Sequence, residues 1–219
     1  MPEKKYRNII LFGAPGAGKS TIIETLENKG VQFSLVSIGK MLREISKKDD
    51  DFGKKVKEAM ERGDLVDDFL VTELAKKTLR EIDKNKPVIL DGYPRSLGQL
   101  DEVDAMFENE GLDLPVLVYV KISKEEAIKR LSTRRVCSLC KENYSTLDLG
   151  DAKTCAKCGG ELIQRDDDQP EAIANRFDLF EMQFKAIQYY FQSKDRYFEI
   201  EAVGTREEVA EKLLKIIQE

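Results

Sequence analysis

The chain has 219 residues, 41% of them hydrophobic, enough to bury one α/β core with room for a small inserted module. Lysine and arginine number 36 against 41 aspartate and glutamate, a formal charge of −5, so no overall basic field draws nucleic acid. The absence of histidine excludes imidazole acid–base catalysis, Ser-His triads and histidine metal ligands, leaving Lys, Arg, Asp, backbone amides and metal ions to carry any chemistry.

The start of the chain lacks the apolar region of a secretory leader, and no segment approaches membrane-spanning length, so a cytoplasmic protein is expected. The first apolar run, 6–12, reads as a strand. It leads into Gly13-Ala14-Pro15-Gly16-Ala17-Gly18-Lys19-Ser20, which fits G-x-x-x-x-G-K-[ST], the phosphate-binding P-loop. The amphipathic stretch 19–28 supplies the helix that this motif needs. Its glycines let backbone N–H groups turn inward, and the helix N-terminus adds a positive dipole for a phosphate. In such a loop Lys19 reaches the β/γ-phosphates and Ser20 offers a hydroxyl to Mg²⁺. A glycine-rich strand-to-helix turn without a ligand is the alternative, disfavoured by the strand–loop–helix context.

Further along, 33–36 reads as a strand, 40–46, 52–62 and 69–82 as helices, and 88–90 as a strand ending at Asp91. The series continues with helix 97–109, strand 116–122, helix 125–133, helix 171–192, strand 198–203 and helix 207–217. Pro170 is a helix-start signal for the long penultimate helix. Strands alternating with helices predict a parallel, helix-covered sheet of five strands. A carboxylate at the C-terminal tip of a strand beside a P-loop is where a Mg²⁺-organising Asp belongs, so Asp91 is a candidate. An Asp opening a turn before Gly92 is the other reading.

Segment 136–164 breaks this rhythm and reads as an inserted module. Cys137-x-x-Cys140 and Cys155-x-x-Cys158 stand fourteen residues apart, the spacing of two knuckles that give a metal four thiolates. Disulfides are disfavoured in a cytosolic chain, and a redox C-x-x-C would have to occur twice in one loop. Four cysteine ligands close the coordination sphere, so the zinc would be structural and would hold a segment too poor in apolar residues to build a core. Around the insert lie Arg43, Arg95, Arg130, Arg134, Arg135, Arg165 and Arg176. Each alone is ordinarily a solvated surface residue, but as a set they suit phosphate, which guanidinium groups grip bidentately.

The P-loop, Asp91-Gly92-Tyr93-Pro94-Arg95 with Gln99, Arg134-Arg135 beside the cysteines, and Arg165-Asp-Asp-Asp-Gln169 followed by Arg176 together resemble the adenylate kinase family. The likeness is to its long, zinc-lidded bacterial type and runs from about Ile9 to the C-terminus. It implies a P-loop NTPase-type sheet as the core (1–36, 67–132 and 169–219), a helical monophosphate-binding insert (37–66) and a zinc lid (133–168). It also implies reversible, Mg²⁺-dependent transfer of the terminal phosphoryl group of ATP to AMP by a monomer, with nucleotides rather than nucleic acid as partners.

Residue by residue, the resemblance places Gly16, Ala17, Gly18, Lys19, Ser20 and Thr21 around the ATP phosphates. Arg43 and Arg95 would hold the AMP phosphate beside Gly92, Gln99 its adenine edge, and Leu65 and Val66 its base. Arg130 and Arg134 would contact ATP from the base of the lid, with Asn143, Tyr144 and Arg206 near its adenine. Arg165 and Arg176 would bridge donor and acceptor. The implied catalytic set is Lys19, Arg95, Arg130, Arg134, Arg165 and Arg176; Arg135 is assigned to lid structure.

Three positions depart from the family pattern. Ser20 stands where the family has glycine, Ile38 where it has a threonine facing the acceptor base, and Lys40 where it has aspartate near the metal. Ile38 bears on the choice of monophosphate more than on kinase activity. The alternatives are therefore a kinase for CMP or UMP and, from other classes, a zinc-ribbon nucleic-acid-binding P-loop protein or a plain NTPase switch. The acidic chain, with Tyr144 the only aromatic in the module, speaks against nucleic acid.

Overall fold

In the computed structural model, which describes residues 8–150 and 152–218, the chain alternates strands and helices until it reaches the cysteine module. In order these are β1 (Ile9–Phe12), α1 (Lys19–Asn28), β2 (Ser34–Ser37), α2 (Ile38–Ile45), α3 (Asp51–Arg62), α4 (Asp68–Glu81), β3 (Val88–Asp91), α5 (Leu97–Asn109), β4 (Val116–Lys121) and α6 (Lys124–Ser132). The module contributes β5 (Arg134–Cys137), β6 (Asn143–Ser145), the single turn α7 (Thr146–Leu149) and β7 (Leu162–Ile163). A 3₁₀ turn, Asp166–Asp168, leads to α8 (Pro170–Gln192), β8 (Tyr197–Glu201) and α9 (Arg206–Gln218).

The main sheet runs β2-β3-β1-β4-β8, every neighbouring pair parallel. Its strands are continuous apolar runs because both faces are covered, and their period of two splits them between two cores. Ile10, Phe12, Leu90, Leu117 and Tyr119 face one core with residues of α2, α3, α4, α5 and α8. Ile9, Leu11, Ile89, Val118 and Val120 face the other, with α1 and α9. The strand order reverses at β1, so the P-loop leaves the sheet at the switch point where α/β folds open a crevice.

The predicted elements shift at their ends. The first strand begins at Ile9 among the described residues, with Tyr6 and Arg7 of the predicted run lying outside them. The second strand runs Ser34–Ser37 rather than 33–36, and the last Tyr197–Glu201 rather than 198–203. The second helix starts at Ile38, earlier than the predicted 40, because Ile38 is itself a core residue at 1% exposure. In the module, where sequence patterning offers no strand, the structure has an antiparallel sheet in the order β6-β5-β7. Strands of two to four residues are too short to display a period.

Candidate active site

The P-loop joins β1 to α1, and Gly16 shows why the motif demands glycine. Its φ is 84°, and a Cβ there would lie 2.6 Å from the carbonyl oxygen of Ala127. Lys19, the first residue of α1, is half-buried and curls back so that its Nζ donates to the carbonyl oxygens of Gly13 (2.7 Å) and Ala14 (3.2 Å). Burial pulls its ammonium down to about 8; nearby Asp91 opposes the shift, while Arg95, Arg176 and Arg134 add to it.

The ends of β2 and β3 meet the loop. Asp91, the last residue of β3, is 9% exposed, and Ser37 at the end of β2 donates its hydroxyl to Asp91 Oδ2 at 3.1 Å. Ser20 is exposed and lines the same cleft. A serine hydroxyl and an aspartate carboxylate are the hard oxygen donors that suit Mg²⁺.

Opposite the loop, two neighbouring aspartates organise the arginines. Asp168, fully buried, receives Arg134 through Nε (2.7 Å) and Nη2 (2.5 Å). Asp167 receives Arg165 through Nε and Nη2, both at 2.8 Å, and Arg176 Nη1 at 3.1 Å. Burial alone would raise the Asp167 carboxyl, yet Arg176, Arg165 and Arg134 hold it below its ordinary value. Arg43 and Arg176 are each drawn down to about 10, first by burial and then by the other arginines facing them. These groups stay cationic at neutral pH. The chain is acidic overall but has concentrated cations, with too few anions to match them, at one place. That is a trap for polyanions.

The cleft holds about 540 Å³ and is lined by Gly16 to Thr21, Ile38, Arg43, Leu65, Val66, Asp91, Gly92, Arg95, Gln99, Arg130, Arg134, Asn143, Tyr144, Arg165, Arg176 and Arg206. The tertiary structure thus gathers every nucleotide-site candidate named from the sequence. Arg130 is steered by Glu126 Oε1 (2.9 Å) and the carbonyl oxygen of Ala202 (3.3 Å). Arg135 does not line the cleft; its Nη1 donates to the main-chain oxygen of Arg134 at 2.7 Å. Ile38 can offer a ligand only apolar contact. Sequence reasoning gave no site role to Asp68, Ser37, Asp167 or Asp168. For the last two the run of three aspartates after Arg165 was the available signal, whereas Asp68 and Ser37 had none.

The four cysteines carry no disulfide and do not line the cleft, although Tyr144, which does, reaches one of them. Their Sγ atoms all fall within 4.8 Å of one another, Cys137 to Cys158 at 3.4 Å and Cys140 to Cys155 at 3.5 Å. Four thiolates about 2.3 Å from a tetrahedral zinc would stand about 3.8 Å apart, so the cluster fits that ion. The Tyr144 hydroxyl lies 3.1 Å from Cys155 Sγ and, with the Lys157 and Cys158 N–H groups, brings that thiol down to about 6 against its burial.

A parallel sheet with a P-loop at its switch point and an arginine-lined cleft above it defines a P-loop nucleotide-binding α/β protein. The family model described as adenylate kinase matches residues 11–196. The chain is 35% identical over 215 residues to an adenylate kinase of Thermosipho africanus, covering 96% of this chain and 99% of the relative. Adenylate kinases of Fervidobacterium nodosum (34% over 212 residues, 96% and 97% covered) and Archaeoglobus fulgidus (33% over 213, 96% and 98%) are similar to the same extent. The chain therefore belongs to the adenylate kinase family, nucleoside monophosphate kinases that act as phosphotransferases.

Proposed function

We propose that the protein transfers the terminal phosphoryl group of ATP to AMP, reversibly, giving two ADP. The observation that carries this reading is the convergence of Lys19, Arg43, Arg95, Arg134, Arg165 and Arg176 on one cleft beside the P-loop. Phosphoryl transfer needs in-line positioning and neutralisation of spreading charge more than covalent help from the protein. The acceptor is a phosphate oxygen already ionised at neutral pH, so a chain without histidine lacks nothing. Asp167 and Asp168 keep Arg134, Arg165 and Arg176 aimed before substrate arrives, which lowers the reorganisation needed during transfer.

Residues 37–66 then form the monophosphate-binding insert and 133–168 the lid, whose closure excludes water as the competing acceptor. Ser20 and Asp91 would hold Mg²⁺, which neutralises donor phosphate charge when bound. Cys137, Cys140, Cys155 and Cys158 would hold a structural zinc. Both nucleotides find their residues within one chain, which supports a monomer acting on small molecules rather than nucleic acid, and these substrates belong to the cytoplasm. With Ile38 apolar, selection of the base falls on Gln99. A coupled assay of ATP with AMP, CMP, UMP and GMP tests the reading: AMP is expected to give the highest kcat/KM, and a better acceptor among the other three would overturn it.

A further inference from the structure

Gln99, near the start of α5, is 2% exposed, and each end of its amide meets a partner that can play only one role. Its Oε1 accepts from the backbone N–H of Arg95 at 2.7 Å, and its Nε2 donates to Asp68 Oδ1 at 2.7 Å. The other carboxylate oxygen, Asp68 Oδ2, accepts from Ser96 Oγ at 2.6 Å, and Ser96 in turn caps α5 by accepting from the Gln99 N–H. Gly98 lets the two helices come this close, since a Cβ there would lie 3.0 Å from Asp68 Oδ2.

A backbone N–H only donates and an ionised carboxylate only accepts. Turning the Gln99 amide over would set carbonyl oxygen against carboxylate and NH₂ against N–H, losing two hydrogen bonds for two repulsions. The amide is therefore polarised in one sense, while each end keeps one further hydrogen-bonding position. The edge of adenine offers a donor (the amino group) beside an acceptor (the ring nitrogen). A 6-oxopurine offers the reverse, acceptor beside donor. A free glutamine amide can rotate to suit either; an anchored one suits only one.

We propose that Asp68 is a specificity-determining positioning residue, fixing the Gln99 amide in the sense that reads a 6-aminopurine and refuses a 6-oxopurine. The inference rests on the reading above that Gln99 faces the acceptor base. Asp68 touches no substrate in this account and acts only through Gln99.

The test compares kcat and KM for AMP and for inosine monophosphate, at saturating ATP, in the wild type, Asp68→Ala, Asp68→Asn and Gln99→Ala. Asp68→Ala should lower the AMP-to-inosine-monophosphate ratio of kcat/KM by about tenfold or more, chiefly through KM, because a site that hydrogen-bonds a substrate discriminates strongly only while its own groups are fixed. Asp68→Asn, which keeps the shape but presents either amide end, should lower the ratio by about threefold and keeps the test open if the alanine variant folds poorly. Gln99→Ala should collapse the ratio as well. An unchanged ratio in both Asp68 variants, or an equal fall for the two acceptors, overturns the proposal while Gln99→Ala still collapses the ratio. If Gln99→Ala also leaves it unchanged, the base is not read through Gln99, and the underlying assignment fails with it.

Discussion

In the five-stranded sheet Ile9, Ile10, Leu90, Leu117 and Val118 are sealed from water on one face or the other, each packed under helices. In the cysteine module, Leu139 and Leu147 stand 68% and 65% exposed, and the side chains buried among the described residues are Cys137 and Cys155, at 0% and 3%. One region is held by burial of apolar area, the other by four thiolates where a metal would bond. The difference follows from size: about thirty residues cannot enclose enough apolar surface to offset the entropy of ordering them. A unit organised around a single ion would also keep its shape while its surroundings change, as the lid role proposed above requires.

The largest effect expected from separating the regions is on chemistry. Lys19→Met removes the P-loop cation from the sheet side and should lower transfer by about a thousandfold or more, on the scale of losing a preorganised charge-stabilising donor. Circular dichroism and metal content should remain as in the wild type; appreciable residual transfer would move the burden to the arginines around the cysteine module.

Next in size is a paired stability experiment. Leu90→Ala leaves a cavity in the fully buried sheet and should destabilise the whole protein by about 2–5 kcal/mol, read by chemical denaturation, with bound zinc unchanged. Cys140→Ser, or chelation of the wild type, should remove any metal held by the four thiolates and melt the cysteine module while helical content and the midpoint of core unfolding change little. If metal loss unfolds the core as well, the two regions are not separable in stability.

The smallest effect concerns pH. The Lys19 pKa is about 8 in the folded, nucleotide-free protein against an ordinary 10.5, so this group loses its proton as pH rises through 8. Between these values the unfolded chain holds more protons, so this group's contribution makes stability rise with pH from about 8 to 10.5; below 8 the buried charge is a full cost. Binding phosphate restores the charge. Calorimetry at pH 9 in buffers of different ionisation enthalpy should show proton uptake on ATP binding and an affinity weakened by less than about tenfold relative to pH 7. Lys19→Met should abolish that uptake.

Features carried by neighbours in the chain were legible in the sequence. The strand-loop-helix around Gly13 to Ser20, the alternation that makes a parallel sheet, and the two cysteine pairs each lie within a few residues of themselves. Their patterns are the physics of local backbone and ligand geometry. Helix starts at Ile38 and Asp68 were less legible, because burial of Ile38 and capping by Asp67, which accepts from the Leu70 N–H, decided them. The short strands of the cysteine module gave no period to read.

What the sequence determined by itself, then, was the set of chemically competent groups: a P-loop lysine, a carboxylate at a strand tip, a ring of arginines and four thiolates. Only the tertiary structure decided how each is held. Arg134 is aimed by Asp168, 34 residues away, Asp91 is met by Ser37 across 54 residues, and Gln99 is polarised by Asp68 across 31. An aspartate has the same side chain whether it is solvated or anchors an amide. Which of these it does depends on partners that the chain brings together only when the sheet and its helices pack.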